Sequence, residues 1–263
     1  MNARARVSVL VNTCNEGNVL GDCLASVAGW ADEIIVCDME STDDSVSVSK
    51  AYGAIVWNHV RKAAPEPEAR TFGISKCAGD WILVLDPDMR ISPELRTRLN
   101  EIVSRDEADI VDLHCLNFFF TRWCAHGHGS QPVFRKFFKR KLFHPSPINI
   151  QTFWHDSLLE GRVIALPKQY AITHYAYPSI QGLVAIVTRY ARKEADDDFM
   201  LGRRFRLHLL LWKPVKRFAG DYILRRGFLD GLPGLIVAVI IAWYRFLIEA
   251  YLWELSCHPP NQE

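Results

Sequence analysis

Two aspartates separated by one residue, Asp86-Pro-Asp88, follow the apolar run Trp81-Ile-Leu-Val-Leu85. In an extended segment residues i and i+2 face the same way, so both carboxylates can reach one cation. Mg²⁺ or Mn²⁺ prefers such hard oxygen ligands and shares its remaining positions with phosphate oxygens. On spacing alone, a strand-ending turn with solvated acids fits equally well. The position between an apolar strand and a capped helix favours the site. Two more polar clusters, Asn12–Glu16 and Asp38–Asp44, follow the apolar runs at Val7–Val11 and Glu33–Cys37. Three acid and amide clusters at one sheet edge point to cation-assisted chemistry. No G-x-G-x-x-G or P-loop lysine offers a standard phosphate cradle.

Alternating strands and helices must position these clusters. Strands are expected at Val7–Val11, Glu33–Cys37, Ala54–Trp57, Trp81–Leu85 and Asp109–Leu113. A helix carries Val19, Leu20, Cys23, Leu24 and Val27 on one face. A second is capped by Ser41 or Thr42 and runs to about Ala51. In a third, Ser92-Pro93-Glu94 supplies N-cap, first-turn proline and a dipole-favourable acid. Such a pattern predicts a largely parallel sheet covered on both faces, with ligands beyond the carboxyl ends of its strands.

The 263 residues hold 31 basic and 30 acidic side chains, but the charges are segregated. Residues 1–120 carry 11 basic and 19 acidic side chains; residues 121–263 carry 20 and 11. A hydrophobic fraction of 49% excludes wholesale disorder. Seven cysteines with no C-x-x-C pair argue against a disulfide framework or zinc ribbon and for reduced thiols. The apolar stretch after Arg6 is too short for a signal peptide, so secretion is not expected.

Several segments in register resemble the nucleotide-sugar-binding half of family 2 glycosyltransferases of the GT-A fold. They are Val7–Glu16, Ala31–Asp38 with Ser41-Thr-Asp43, Ala69-Arg70 with Gly73-Ile74, and Gly79–Asp88. The resemblance implies an α/β fold, a mostly parallel Rossmann-like sheet flanked by helices. Residues 1–178 would form the GT-A domain: 1–120 the nucleotide-sugar half, 121–178 the acceptor and catalytic half. It implies that Thr13, Asn15, Glu16, Asp38, Arg70 and Asp86 border the donor and that Asp86, Asp88 and His174 hold Mn²⁺ or Mg²⁺. Among bacterial lipopolysaccharide-core sugar transferases an acid near Trp154-His155-Asp156 serves as general base, a role that falls here to Asp156. Met39-Glu40, Thr71 and Met89 depart from the family's usual residues and bear on donor identity.

The residues of the back half keep other readings open. Asp156 could cap a short helix, and His174 could be a packed histidine. His126-Gly-His128 reads as a mobile loop rather than a metal pair. Arg135–Lys141, five cations around two phenylalanines, reads as a solvated strand edge or a contact for anionic lipid or acceptor phosphate; nucleic acid is the minor reading. Residues 203–226 carry eight cations and one acid among apolar residues. Residues 232–244 are uncharged, and at about 1.5 Å per residue they fall short of a bilayer core. Residues 179–263 are therefore expected to form a basic, apolar helical appendage. It would lie in the membrane interface or pack against a partner copy in a homo-oligomer.

The expected activity is inverting, metal-dependent transfer from a nucleoside-diphosphate sugar, UDP-hexose first, to a hydroxyl of a lipid-anchored or envelope-glycan acceptor. The place would be the cytoplasmic face of the inner membrane. Rivals are transfer to polyprenyl phosphate and a non-catalytic membrane adaptor with the same fold.

Overall fold

The computed structural model describes residues 4–60, 66–130, 133–144 and 159–257. The chain divides into two compact units: residues 1–115 with 132–174, and residues 116–131 with 175–263. By sequence, residues 116–131 are expected in the front domain. They belong instead with the C-terminal helices, because Phe119 and Cys124 share a buried cluster with Leu183, Val237 and Ile241.

The elements run β1 (Val7–Thr13), α1 (Gly17–Ala25), β2 (Glu33–Asp38), α2 (Ser45–Ala51), β3 (Ile55–Asn58), α3 (Glu66–Lys76) and β4 (Trp81–Leu85). Then follow β5 (Met89–Arg90), α4 (Pro93–Arg105), β6 (Ile110–Leu113), β7 (Cys115–Phe119), β8 (Arg122–Trp123), β9 (Phe134–Lys139), β10 (Val163–Ala165) and β11 (Ile172–Tyr177). Three helices end the chain: α5 (Ile180–Met200), α6 (Leu207–Phe218) and α7 (Gly231–Cys257).

The first unit is built on a seven-stranded sheet in the order β10-β6-β9-β4-β1-β2-β3. Its pairs are parallel except around β9, which runs antiparallel to both β4 and β6. This is the α/β architecture implied by the resemblance. Alternate β1 residues serve opposite faces: Val7, Val9 and Val11 pack with Leu20, Leu24 and Leu99, whereas Leu10 packs with Ile74 and Ile82. Both faces are therefore dry, as the unbroken apolar runs require. Gly79 leads into β4 through a close approach: a Cβ there would meet the Ser8 backbone nitrogen at 2.7 Å and Ser8 Oγ at 2.5 Å.

The expected cap of α4 is present, with Ser92 Oγ accepting the Leu95 N–H at 3.1 Å and Pro93 in the first turn. The expected cap of α2 is not. That helix starts at Ser45 with Asp44 before it, and Ser41 and Thr42 bond back to Asn15 instead. The Arg135–Lys141 run is also corrected. Arg135–Lys139 lie in β9, a central strand rather than a solvated edge, with Lys136, Phe137 and Phe138 buried; only Arg140 and Lys141, beyond the strand, are exposed. Two buried phenylalanines, each worth about 1.5–3 kcal/mol, fix the strand in the core. Its cations survive because they are paired, Arg135 with Asp112 and Lys139 with Asp106 and Asp109.

In the second unit, α5 is opened by Ser179, whose Oγ accepts the Gly182 N–H. Leu183, Val187, Ala191 and Ala195 repeat every four residues and form the buried stripe of α5. The first pair clusters with Val237 and Ile241 of α7, the second with Ile248 and Leu252. Helix α7 is 27 residues, and the stretch Gly227–Cys257 is long and apolar enough to cross a membrane by length and composition. By sequence, the uncharged stretch ends before Arg245. The helix continues because Arg245 pairs with Glu194, and the fully buried Glu249 pairs with Arg203 and Lys213. His126-Gly-His128 is no loose loop. Asp230 accepts from the His126 backbone N–H and lies 2.8 Å from its Nδ1, while His128 Nδ1 lies 3.0 Å from the Arg217 guanidinium. All seven cysteines are free.

Candidate active site

Parallel pairing of β1 with β2 and β4 brings three polar loops to one sheet edge. Thr13 is level with Asp38, and Val11 with Leu85, one residue before Asp86. The β1 and β2 loops are tied together. Asn15 adopts a left-handed backbone (φ 57°), and its Oδ1 accepts the Thr42 N–H at 2.7 Å. The Asn15 N–H donates to Ser41 Oγ, and the Ser41 N–H donates to Asp38 Oδ2. Glu16 accepts from the Cys14 N–H and donates its own N–H to Ser45 Oγ. Thr13 is wholly buried beneath this loop, and its carbonyl accepts the Met39 N–H.

Arg70 reaches this edge from α3, which crosses close to β1. A Cβ at Gly73 would stand 2.5 Å from Leu10 Cδ1. The Arg70 guanidinium lies 3.1 Å from Asp86 Oδ1, and the Lys136 ammonium from β9 lies 3.0 Å from Asp86 Oδ2. Burial pushes the Asp86 carboxyl up, but Lys136 and Arg70 more than offset it and hold the group below the ordinary carboxylate range. Asp86 is thus a fixed anion clamped by two cations.

Asp88 sits in different company. Its Oδ2 lies 3.2 Å from His174 Nε2, a pairing set up by antiparallel β5 and β11, where His174 is level with Met89. Asp88 Oδ1 is buried without a hydrogen-bond partner among the described residues, as is Asp38 Oδ1. Orphaned buried carboxylate oxygens are costly, and both would be satisfied by a ligand entering this edge.

All of this constellation except His174 falls inside residues 8–155, which match the model of the glycosyl transferase family 2. The chain belongs to that family. The glycosyltransferase is also 29% identical over 266 residues to an uncharacterized glycosyltransferase of Rickettsia typhi, covering 97% of this chain and 89% of that one. It is 22% identical over 254 residues to the lipopolysaccharide core biosynthesis glycosyltransferase LpsC of Rhizobium meliloti, covering 94% and 92%. In fold it is similar to residues 1–349 of S. aureus TarS, at a TM-score of 0.52 and 17% identity, covering 94% of this chain and 91% of that one. That TarS fragment has also been solved in complex with UDP and with UDP-GlcNAc.

The structure brings together most of the residues expected from the glycosyltransferase sequence, but not as one metal-ligand trio. Among the described residues, no three His, Cys, Asp or Glu side chains gather closely enough to hold a metal. Asp86 is turned to Arg70 and Lys136. Asp88 and His174 remain a fitting pair, with one orphaned carboxylate oxygen and one imidazole nitrogen; a hard divalent cation would draw its other ligands from diphosphate and water. Asp156, with Trp154 and His155, lies outside the described residues. Lys136 was missed by sequence reasoning. Its signal was present, a lysine directly before two phenylalanines, but only the pairing of β9 with β4 shows that it lands on Asp86.

Proposed function

We propose that this glycosyltransferase moves a hexose, with inversion, from a UDP-sugar to a hydroxyl of a lipid-anchored or envelope-glycan acceptor at the cytoplasmic face of the inner membrane. The observation that carries the reading is the division of labour in Asp86-Pro-Asp88. One acid is locked by Arg70 and Lys136, and the other offers an unsatisfied oxygen beside His174. The locked Asp86 and the orphaned Asp38 Oδ1 present acceptors for ribose hydroxyls and a base N–H. The laced loop of Asn15 and Glu16 walls the nucleoside. Asp88 and His174 would hold Mn²⁺ or Mg²⁺, which supplies charge neutralisation for a departing diphosphate. Asp156 would take the acceptor hydroxyl's proton as the new bond forms.

The UDP and UDP-GlcNAc complexes of TarS support the donor class, and the lipopolysaccharide-core role of LpsC supports an envelope-glycan acceptor. Exposed apolar residues flanked by cations support attachment to an anionic membrane surface. The test is transfer of labelled hexose from UDP-hexose into membrane extract, with and without Mn²⁺, followed by product analysis. A metal-dependent glycan product supports the reading. Label confined to an acid-labile polyprenyl phosphate would replace the hydroxyl acceptor with the phosphate rival.

A further inference from the structure

A cavity lies wholly within the C-terminal unit. It has a volume of about 380 Å³, and five cations line it: Lys213, Lys216, Arg217, Arg225 and Arg245, with Asp221 as the one acid. Most of these cations are held in place. Arg217 and Arg225 grip opposite oxygens of the buried Asp221, at 2.7 and 2.9 Å, while Lys213 is held by Glu249 and Arg245 by Glu194. Lys216 is exposed and has no ion-pair partner among the described residues. Every carboxylate paired to these five cations can be counted, which gives Glu194, Asp221 and Glu249. The cluster keeps two positive charges in excess.

A neighbouring histidine registers the same field. Burial and then the charge of Arg217 push His128 down to about 4. Neutral at physiological pH, it adds no charge of its own and leaves the excess to the lysines and arginines. The backbone around the cavity is unusual too. Ala219–Leu224 is a π-helical turn, a rare conformation that recurs at functional sites, and it follows Pro214 within α6.

The rim of this cavity is apolar. Leu224 lines it and is 80% exposed, and Ile223 beside it is 58% exposed. On α6, Trp212 precedes Lys216 by one helical turn, and Val215 adjoins it; both are exposed. Fixed guanidinium forks match phosphate oxygens, and an ammonium adds a point charge. A soluble anion would gain nothing from the bare leucine, isoleucine and tryptophan; an amphiphile would bury them.

We infer that the cavity between α6, its π-helical turn and α7 is a binding site for the phosphate-ester headgroup of an anionic membrane lipid, with Trp212, Val215, Ile223 and Leu224 seated in the adjoining acyl region. The inference rests on the membrane-surface reading above and gives that reading a specific site. Its test uses neither donor nor acceptor, so its failure would leave the transfer reaction standing.

The full chain is sedimented with vesicles of phosphatidylcholine alone or mixed with phosphatidylglycerol. Lys216→Glu and Leu224→Asp are compared with Lys168→Glu, an exposed charge reversal in the other unit. The wild type and Lys168→Glu should bind the phosphatidylglycerol vesicles alike. Lys216→Glu should lose about tenfold or more, and Leu224→Asp should weaken binding too, with circular-dichroism melting unchanged in both. Equal binding to both vesicle types overturns the inference, as does a Lys216→Glu protein that binds like Lys168→Glu. If inorganic phosphate or glycerol phosphate stabilises the wild type while vesicles are not bound, the site serves a soluble phosphate and the lipid assignment falls.

Discussion

The Lys136 ammonium lies 3.0 Å from Asp86 Oδ2, so the first acid of Asp86-Pro-Asp88 is neutralised by a strand that begins nearly fifty residues later. Lys136 is 3% exposed and Asp86 is shared with Arg70. Removing the lysine leaves a partly buried carboxylate with half its compensation. Lys136→Met should cost stability at the lower end of about 3–5 kcal/mol, because Arg70 remains. Urea denaturation at neutral pH reads this directly.

The same pair sets an acid dependence. Asp86 is held below its ordinary value, so its contribution is complete above about pH 4, where an unfolded carboxyl is ionised. That contribution is lost as pH falls through the folded value. In Lys136→Met the folded and unfolded values lie closer together. The variant should start less stable yet lose less on acidification below about pH 4. Denaturation midpoints collected from neutral to acid pH would show two curves that converge.

Asn15 makes two separable contributions, a left-handed backbone and a side-chain bond to the Thr42 N–H. Asn15→Gly keeps the first and loses the second, whereas Asn15→Ala loses both. Asn15→Ala should be the less stable by about 1 kcal/mol. Both should raise the KM for donor more than they lower kcat, because they would loosen a wall of the proposed nucleoside site and touch no reacting atom. Steady-state kinetics with a UDP-sugar distinguish these outcomes.

Gly79 has no room for a side chain against the Ser8 backbone. Gly79→Ala should cost about 1–3 kcal/mol by overpacking and lower the melting temperature. Because Gly79 lies at the opposite end of β4 from Asp86, affinity for donor below the melting transition should change little. A large loss of affinity at full folding would show that the strand had shifted in register.

Much of this was legible from the chain. The apolar runs at β1, β2 and β4 are buried on both faces, so their hydrophobicity is continuous and their ends are marked by Asn, Asp and Ser. Ser92-Pro93-Glu94 announced α4 by local chemistry alone. Local chemistry misled at Ser41 and Thr42, whose hydroxyl and amide were claimed by Asn15 rather than by α2. It also misled at Arg135–Lys141, where the charges look exposed until Asp86, Asp106, Asp109 and Asp112 are brought alongside. Glu249 posed the same problem, since a carboxylate in an apolar helix is intelligible only once Arg203 and Lys213 arrive from elsewhere. Pairings of distant residues set these outcomes, and periodicity carries no record of them.

Asp88, beside His174, is proposed to complete a metal-dependent UDP-sugar site at the end of β4. Calorimetric titration of UDP-hexose into the wild type and into Asp88→Asn, each with and without Mn²⁺, tests it most directly. Binding to the wild type should strengthen at least about tenfold with Mn²⁺, and the Asp88→Asn protein should fold normally but show no metal enhancement. Equal, metal-enhanced binding by Asp88→Asn, or no nucleotide-sugar binding by the wild type, would contradict it.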